Sequence, residues 1–355
     1  MTRPFTFPGM TTRVIFGPGT LAQAGPEVQR LGHARALVLC TPHQQDQAQA
    51  LADSLGGLAA GIFANATMHT PTDVTETAVA AYRASGAGCV VSLGGGSTTG
   101  LGKAIAVRTG ADQVVIPTTY AGSEMTDILG ETEGGAKTTR RDPAIRPEVV
   151  IYDPDLTLTL PVALTVTSAL NAIAHAMEGF YAPDRNPVVE AMCRDAMRAF
   201  HRALPVLKAD PQNRAARADA LYAAWCCSTM LGQVSMALHH KLAHVLGGSF
   251  GLPHAETHAV LLPHTAAFNA VAVPELLTPI SDVFGGPAGA GLWDFARDMG
   301  APLRLSELGM TEPDLDRAAD VAMTNAYWNP RPFTRGDIRD LLQAAYDGCR
   351  PTENA

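Results

Sequence analysis

Charge is scarce in this chain. Asp, Glu, Lys and Arg make up 17% of its residues, against 46% hydrophobic. That balance excludes a disordered chain, which carries much charge and has little to bury, and it suits a globular enzyme. Lys and Arg form no stripe and the net charge is -8, so nucleic acid is excluded as the expected partner. A small anionic ligand stays admissible, because a local basic cluster can oppose the global sign. Cysteine is also sparse: there are six, with no CxxC pair. They read as reduced, mostly buried thiols of a cytoplasmic protein, not as a disulfide framework or a nucleophile. The N-terminal stretch MTRPFTFPGMTTRVIFG lacks the apolar core of a signal peptide. The one candidate membrane span, Ala220 to Leu238, is interrupted by Ser228, Thr229, Gln233 and Ser235. It reads as a buried helix in a large helical core, with no membrane partner. Internal repeats and low-complexity tracts are missing as well.

What is present begins with length. A chain of 355 residues exceeds one typical domain and can bury a large core, so two domains are expected. In the first part, apolar runs alternate with helical patterns. Strands are expected at 11–16, 34–40, 88–93 and 113–119, with a weak one at GIFANA. Helices are expected after Gly19 to about Leu31, over 44–55, and from Pro71 to Ser85, where Thr72 is a candidate cap. Continuous apolar strands between helices imply a parallel sheet covered on both faces. The character changes after VVIYDPDLTLTLP: beyond residue 160 the chain reads as almost wholly helical, with turns at 183–187, Pro205, Pro211, 247–254 and 285–291. The expected layout is therefore residues 1–160 as an α/β, Rossmann-like dinucleotide-binding domain and residues 161–355 as an all-α substrate and catalytic domain.

Two stock phosphate motifs fail on inspection. In GCVVSLGGGSTTGLGKA, GxGxxG would need glycine where Thr99 stands. A P-loop would need one at Ser97 and a hydroxyl at Ala104. A strand running directly into Gly94, Gly95, Gly96, Ser97 and Thr98 is still chemically apt. Bare backbone approaches a pyrophosphate, and a helix N-terminus adds N–H donors. A second loop, IPTTYAGSE, brings Thr118, Thr119 and Ser123 to the next strand end. Two such turns on successive strands of one sheet point to a dinucleotide. Thr41 and Pro42 stand at the tip of the 34–40 strand where an acidic residue would bind ribose hydroxyls, which leaves NADH and NADPH both open.

The densest chemistry lies from His239 to His264, which holds six of the eleven histidines. His240 and His244 are four apart, on one helical face. Gly247 and Gly248 are a candidate helix stop, and Pro253-His254 a candidate loop returning a third imidazole. Upstream, NAIAHAME places Asn171, His175 and Glu178 at i, i+4 and i+7, again on one face. Two helices and a loop presenting polar groups to one point describe a buried reaction site.

With GGGS, PTT-x-AGSE, NAIAHAME and the fourteen-residue step from His240 to His254 in hand, nearly the whole chain resembles the iron-containing alcohol dehydrogenase family. The resemblance implies the dehydroquinate synthase-like fold, with a nucleotide-binding α/β domain, a helical domain and the reaction in the cleft between them. Members that hold a divalent metal use an Asp, a His four later, and then two histidines fourteen apart. Here the Asp position is Asn171, followed by His175, His240 and His254. A neutral amide is a poor ligand for a hard cation. The expectation is thus a degenerate site with no metal, or zinc on the three imidazoles if it is occupied at all.

That Asn, with KTTRRDP (137–143), HHKLAHVLGG and YWNPRP (327–332), resembles the maleylacetate reductases within that family. The resemblance implies NADH- or NADPH-dependent reduction of the C=C bond of maleylacetate to 3-oxoadipate, in aromatic-compound catabolism, by a homodimer. Hydride added beta to the ketone pushes charge onto the ketone oxygen, so an enolate must be stabilised and the neighbouring carbon protonated. His244 is the expected acid/base, while His175, His240, His254 and Asn171 polarise the ketone. Lys241, Tyr327 and Arg331 are the candidate contacts for the dianionic substrate. Tyr327 is otherwise packing and Arg331 otherwise a rigid turn. Lys137, Arg140 and Arg141 read as a solvated loop, and His239 and His258, facing other ways, as structural. The competing readings are a metal-dependent dehydrogenase of a small alcohol or polyol, a dehydroquinate synthase-like lyase, and a non-enzymatic nucleotide-binding protein. The lyase would need more than Lys241 to hold a phosphate.

Overall fold

The computed structural model of the chain describes residues 4–134 and 136–352. Two compact units result: Gly9–Leu160, and Pro161–Ala355 together with the segment up to Pro8. In the first, β1 (Arg13–Phe16), α1 (Ala24–Arg30), β2 (Ala36–Leu39), α2 (Gln45–Leu55), β3 (Ala59–Phe63) and α3 (Thr72–Ser85) come in order. They are followed by β4 (Cys89–Gly94), α4 (Gly96–Thr109), β5 (Asp112–Pro117), β6 (Ile128–Glu133), β7 (Ala136–Arg141) and β8 (Val149–Tyr152).

Six of these strands form one sheet in the order β1-β8-β5-β4-β2-β3, every pair parallel. The strands are apolar on both sides because helices cover both faces. Val38, Val91 and Val114 pack with Val28, Ala48 and Leu51 of α1 and α2. Their neighbours Leu37, Leu39 and Val90 point the other way, to Val79, Leu101 and Ile105 of α3 and α4. β2 leads outward to β3 at one edge, while β4 returns on its other side with β5 beyond it. The direction of winding reverses between β2 and β4, and open parallel sheets bind ligands off the strand C-termini at that reversal.

The second unit is helical: α5 (Val162–Tyr181), α6 (Pro187–Ala209), α7 (Arg214–Leu231), α8 (Leu238–Phe250), α9 (His254–Ala270), α10 (Pro274–Phe284), α11 (Ala288–Met299), α12 (Asp314–Met323) and α13 (Arg335–Asp347). α5 is buried at every position from Thr165 to Tyr181 and packs on α6, α7 and α9. A helix buried all round is a core helix, and its polar residues need partners inside the protein. Leu242, Leu246, Leu261, Leu315 and Leu342 join α8, α9, α12 and α13 in one cluster. No helix among the described residues is long and apolar enough to cross a membrane.

Several local expectations need correction. The 220–238 segment is two helices, because α7 ends at Leu231 and α8 starts at Leu238. Gly247 and Gly248 do not stop α8. It runs on to Phe250 and ends at Gly251, whose left-handed φ of 69° a side chain would resist. His254 is the first residue of α9, not part of a loop. Pro205 lies inside α6, whose buried face from Val189 to Leu207 outweighs one lost backbone bond. Pro71, not Thr72, caps α3, and no side chain serves there. The 137–143 stretch is not a loop: β7 pairs antiparallel with β6, and Arg141 lies 3.6 Å from Asp127. The side chain of Lys137 lies outside the described residues.

Candidate active site

The helical unit builds its polar centre from α5 outward. Asn171, His175 and Glu178 lie one helical turn apart and are 1%, 3% and 0% exposed. A fully buried carboxylate must be repaid by donors, and Glu178 finds them at the start of α8. Its Oε2 accepts from the Ala237 N–H and His240 Nδ1, each at 2.7 Å, and its Oε1 from the His239 N–H at 2.8 Å. Tyr181 Oη adds a longer contact at 3.4 Å. α8 has no cap of its own, so a carboxylate from another helix fills that place, where the positive end of the helix dipole favours it. The same contact orients His240. Because Glu178 only accepts, His240 Nδ1 carries the hydrogen of that bond, and Nε2 is the atom left for other partners.

Around this pair the imidazoles crowd together. The His175 and His240 rings stack at 5.1 Å, with an interplanar angle of 30°. His258 lies 5.1 Å from His240, 4.6 Å from His254 and 6.3 Å from His175, centroid to centroid. His244 is 6.1 Å from His240, with Nδ1 3.3 Å from Tyr327 Oη. Burial, with the neighbouring rings adding to it, holds His175, His239 and His258 well below the usual imidazole range. Four buried polar atoms here have no protein hydrogen-bond partner: Asn171 Oδ1, His175 Nδ1, His240 Nε2 and His258 Nε2. Buried polar atoms are otherwise nearly always paired, so a group of orphans marks a place for something polar.

Asn171, His175, His240, His244 and His254 thus lie in one neighbourhood, as helix spacing implies, with Tyr327 at its edge. His239 and His258, expected to face other ways, also turn their rings into the cluster, 4.9 Å apart. His264 makes no ring contact with it; burial pushes that imidazole down to about 4. Two candidate substrate contacts are engaged elsewhere. Lys241 Nζ donates to Thr324 O at 2.7 Å and sits 5.7 Å from the Tyr327 ring. Arg331 stacks on Phe268 at 4.0 Å and donates to Phe268 O at 3.0 Å, which agrees with the rigid-turn reading.

The α/β unit carries a second candidate site at the winding reversal. Gly94 ends β4 with φ of 151°, and Gly95 precedes α4, whose N-terminus no side chain caps. A Cβ on Gly95 would lie 2.8 Å from Thr119 Oγ1. Bare backbone, an uncapped helix N-terminus and the reversal of the sheet coincide at Gly94, Gly95, Gly96 and Ser97. One residue here was missed from the sequence. Gln44 takes a bond from Thr41 Oγ1 at 3.1 Å and gives one to Thr118 Oγ1 at 3.0 Å. It thereby links the ends of β2 and β5. Its only signal was a place three residues after Thr41. Thr98 is fully buried, with Oγ1 lacking a partner. Ser123 is held by Lys103, whose Nζ meets Ser123 O, Ser123 Oγ, Thr126 Oγ1 and Ile128 O within 3.2 Å. Burial pushes that lysine down to about 7, against the pull of Glu124 and Asp127. Four acceptors around one buried ammonium make Lys103 a strut between α4 and the 123–128 segment.

Comparison with known proteins agrees with both halves. Residues 11–154 match the family model for iron-containing alcohol dehydrogenase, and residues 165–346 match the C-terminal model of the same family. A maleylacetate reductase of Rhizobium sp. (strain MTP-10005) is 58% identical over 349 residues, covering 98% of this chain and 99% of that protein. Maleylacetate reductase 1 of Rhodococcus opacus is 50% identical, covering 98% of each. The crystal structure of a maleylacetate reductase from Agrobacterium tumefaciens superposes with a TM-score of 0.95. It is 59% identical and covers 98% of this chain and 100% of that one. The chain belongs to the iron-containing alcohol dehydrogenase family of oxidoreductases, and within it to the group of the maleylacetate reductases.

Proposed function

We propose that this protein reduces the C=C bond of maleylacetate to 3-oxoadipate with NADH or NADPH, in aromatic-compound catabolism, as a cytoplasmic homodimer. The full-length likeness to maleylacetate reductases carries this reading. The Gly9–Leu160 unit is the coenzyme domain. Thr41, Gly94, Gly95, Gly96, Ser97, Thr98, Thr118 and Thr119 form its loops, with Ser123 behind them. The unit from Pro161 onward is the substrate domain.

The reaction needs three things. A nicotinamide coenzyme held by these loops would supply hydride to the alkene carbon beta to the ketone, and the alkene electrons would then move onto the ketone oxygen. That enolate oxygen needs hydrogen-bond donors. The carbon next to the ketone then takes a proton, leaving oxidised coenzyme and 3-oxoadipate. His175, His240, His254 and the Asn171 amide surround the oxygen. A proton held among the rings, counterbalanced by the Glu178 carboxylate, supplies the N–H. His244, half-buried and steadied by Tyr327, delivers the carbon's proton.

Iron, which the family name implies, is poorly served by these donors. Asn171 is a neutral amide, and the carboxylate on the same face, Glu178, is committed to two backbone N–H groups and His240. No three His, Cys, Asp or Glu side chains among the described residues are arranged to hold an ion. The proposal is therefore that imidazoles do the polarising work. Loss of NADH absorbance on adding maleylacetate tests the activity. Turnover of a simple alcohol with NAD instead, lost on adding a chelator, would overturn it in favour of a metal-dependent dehydrogenase.

A further inference from the structure

His239 and His258 sit outside the set of residues assigned above, yet both are 0% exposed and hydrogen-bonded to each other. The direction of that bond can be deduced. Thr265 Oγ1 lies 3.0 Å from Leu261 O and 3.1 Å from Leu262 O. Those carbonyls only accept, so the threonine's single proton goes to one of them. Toward His239 Nδ1, at 2.9 Å, Thr265 Oγ1 can then only accept, and the hydrogen is on Nδ1. Neutral His239 consequently has a lone pair on Nε2. His258 Nδ1, 2.8 Å away, must donate to it. Neutral His258 is left with an unprotonated Nε2, which is buried, has no protein partner and belongs to a ring 4.6 Å from that of His254.

We infer that His258 is a positioning residue of the site, locked in one tautomer by the Thr265–His239 chain. Its Nε2 is always an acceptor. Its contacts with the rings of His254 at 4.6 Å and His240 at 5.1 Å set the direction in which those imidazoles meet the ketone oxygen. Thr265, on the same helix as His258, anchors the chain to backbone that cannot turn. The inference rests on the reductase reading for its kinetic consequence only, since the tautomer belongs to the free protein.

Two measurements test it. Nitrogen-15 NMR of the histidine rings in the free enzyme reads the tautomer directly. His258 Nε2 is expected at the shift of an unprotonated nitrogen, and Thr265→Val, which removes the acceptor for His239, should move it to that of a protonated one. The second is His258→Asn. Its amide can still donate to His239 Nε2 but has no nitrogen where Nε2 stood. It should keep the wild-type melting temperature and coenzyme KM while kcat for maleylacetate falls about 10–100-fold, the usual loss for a group that orients reacting residues. A protonated Nε2 in the wild type would overturn the inference, and so would wild-type kcat in a folded His258→Asn. If His258→Asn fails to fold, the wild-type and Thr265→Val spectra still decide the matter. Wild-type enzyme inert toward maleylacetate would sink the reductase reading and leave the tautomer assignment standing.

Discussion

At the scale of single residues, chemistry follows from which atoms are left unpaired. Asn171, His175, His240 and His258 each aim one buried polar atom at no protein partner, whereas Lys241 and Arg331 are tied to backbone carbonyls. The first set is available to a substrate; the second is committed to holding chain segments. His244 differs from both, being only half-buried and next to Tyr327. His244→Ala should lower kcat by roughly 10²–10⁴-fold, the range for losing a general acid or base. Steady-state kinetics on a variant with unchanged circular dichroism checks this, and near-normal turnover would remove His244 from the mechanism. Most of this set was legible in the sequence, because i, i+4 and i+7 spacing on a helix is geometry that needs no tertiary knowledge. His239 and His258 were not. His239 sits beside His240 and so leaves α8 in another direction, and His258 shares a face with His254 only because α9 begins at His254, a residue that reads as loop in the sequence. The rings of His239 and His258 meet because α8 packs on α9, and helix packing is not written in spacing.

At the scale of elements, the site depends on a cap supplied from elsewhere. α8 begins without a capping side chain, and Glu178 of α5 provides one. Glu178→Ala should strand two backbone N–H groups and the His240 ring N–H, at about 1–3 kcal/mol for each buried orphan. Urea denaturation would register the loss, and an unchanged midpoint would show that water replaces the carboxylate. The sequence showed that Glu178 shares a face with Asn171 and His175, but not that it reaches the start of a helix some sixty residues on. On the coenzyme side, Gly95 stands where a methyl group would press on Thr119. Gly95→Ala should weaken NADH binding about tenfold, or roughly 1.4 kcal/mol, with the KM for maleylacetate little changed. Fluorescence titration of bound NADH measures it, and unaltered affinity would place the dinucleotide elsewhere. The strands and their turns were readable because apolar runs end in glycine or proline. The β6–β7 hairpin was not, since AKTTRR is polar, and its strand character comes from pairing alone.

At the scale of the whole molecule, buried neutral imidazoles make stability depend on pH. His239 and His258 are held well below their ordinary range, and His264 is pushed down to about 4 by burial. Below the unfolded imidazole value of about 6.5 the unfolded chain binds protons that the folded chain refuses, so stability falls as pH falls. Each ring contributes about 1.4 kcal/mol per pH unit over the window between its unfolded and folded values. Denaturation midpoints at neutral pH and near pH 5 should differ accordingly, beyond the loss from carboxylates. A flat profile would mean that these rings are already charged in the folded protein. The two-part organisation was visible as a change in composition near residue 160, where the strands stop and the helices begin.

The claim beneath all of this is that imidazoles, backed by one buried carboxylate, do the polarising work that an ion does in metal-holding members of the family. Metal analysis of the purified enzyme, paired with NADH oxidation by maleylacetate before and after dialysis against a chelator, tests that claim most directly. The account predicts substoichiometric metal and undiminished turnover. A tightly held stoichiometric cation, whose removal abolishes turnover and whose return restores it, would contradict it.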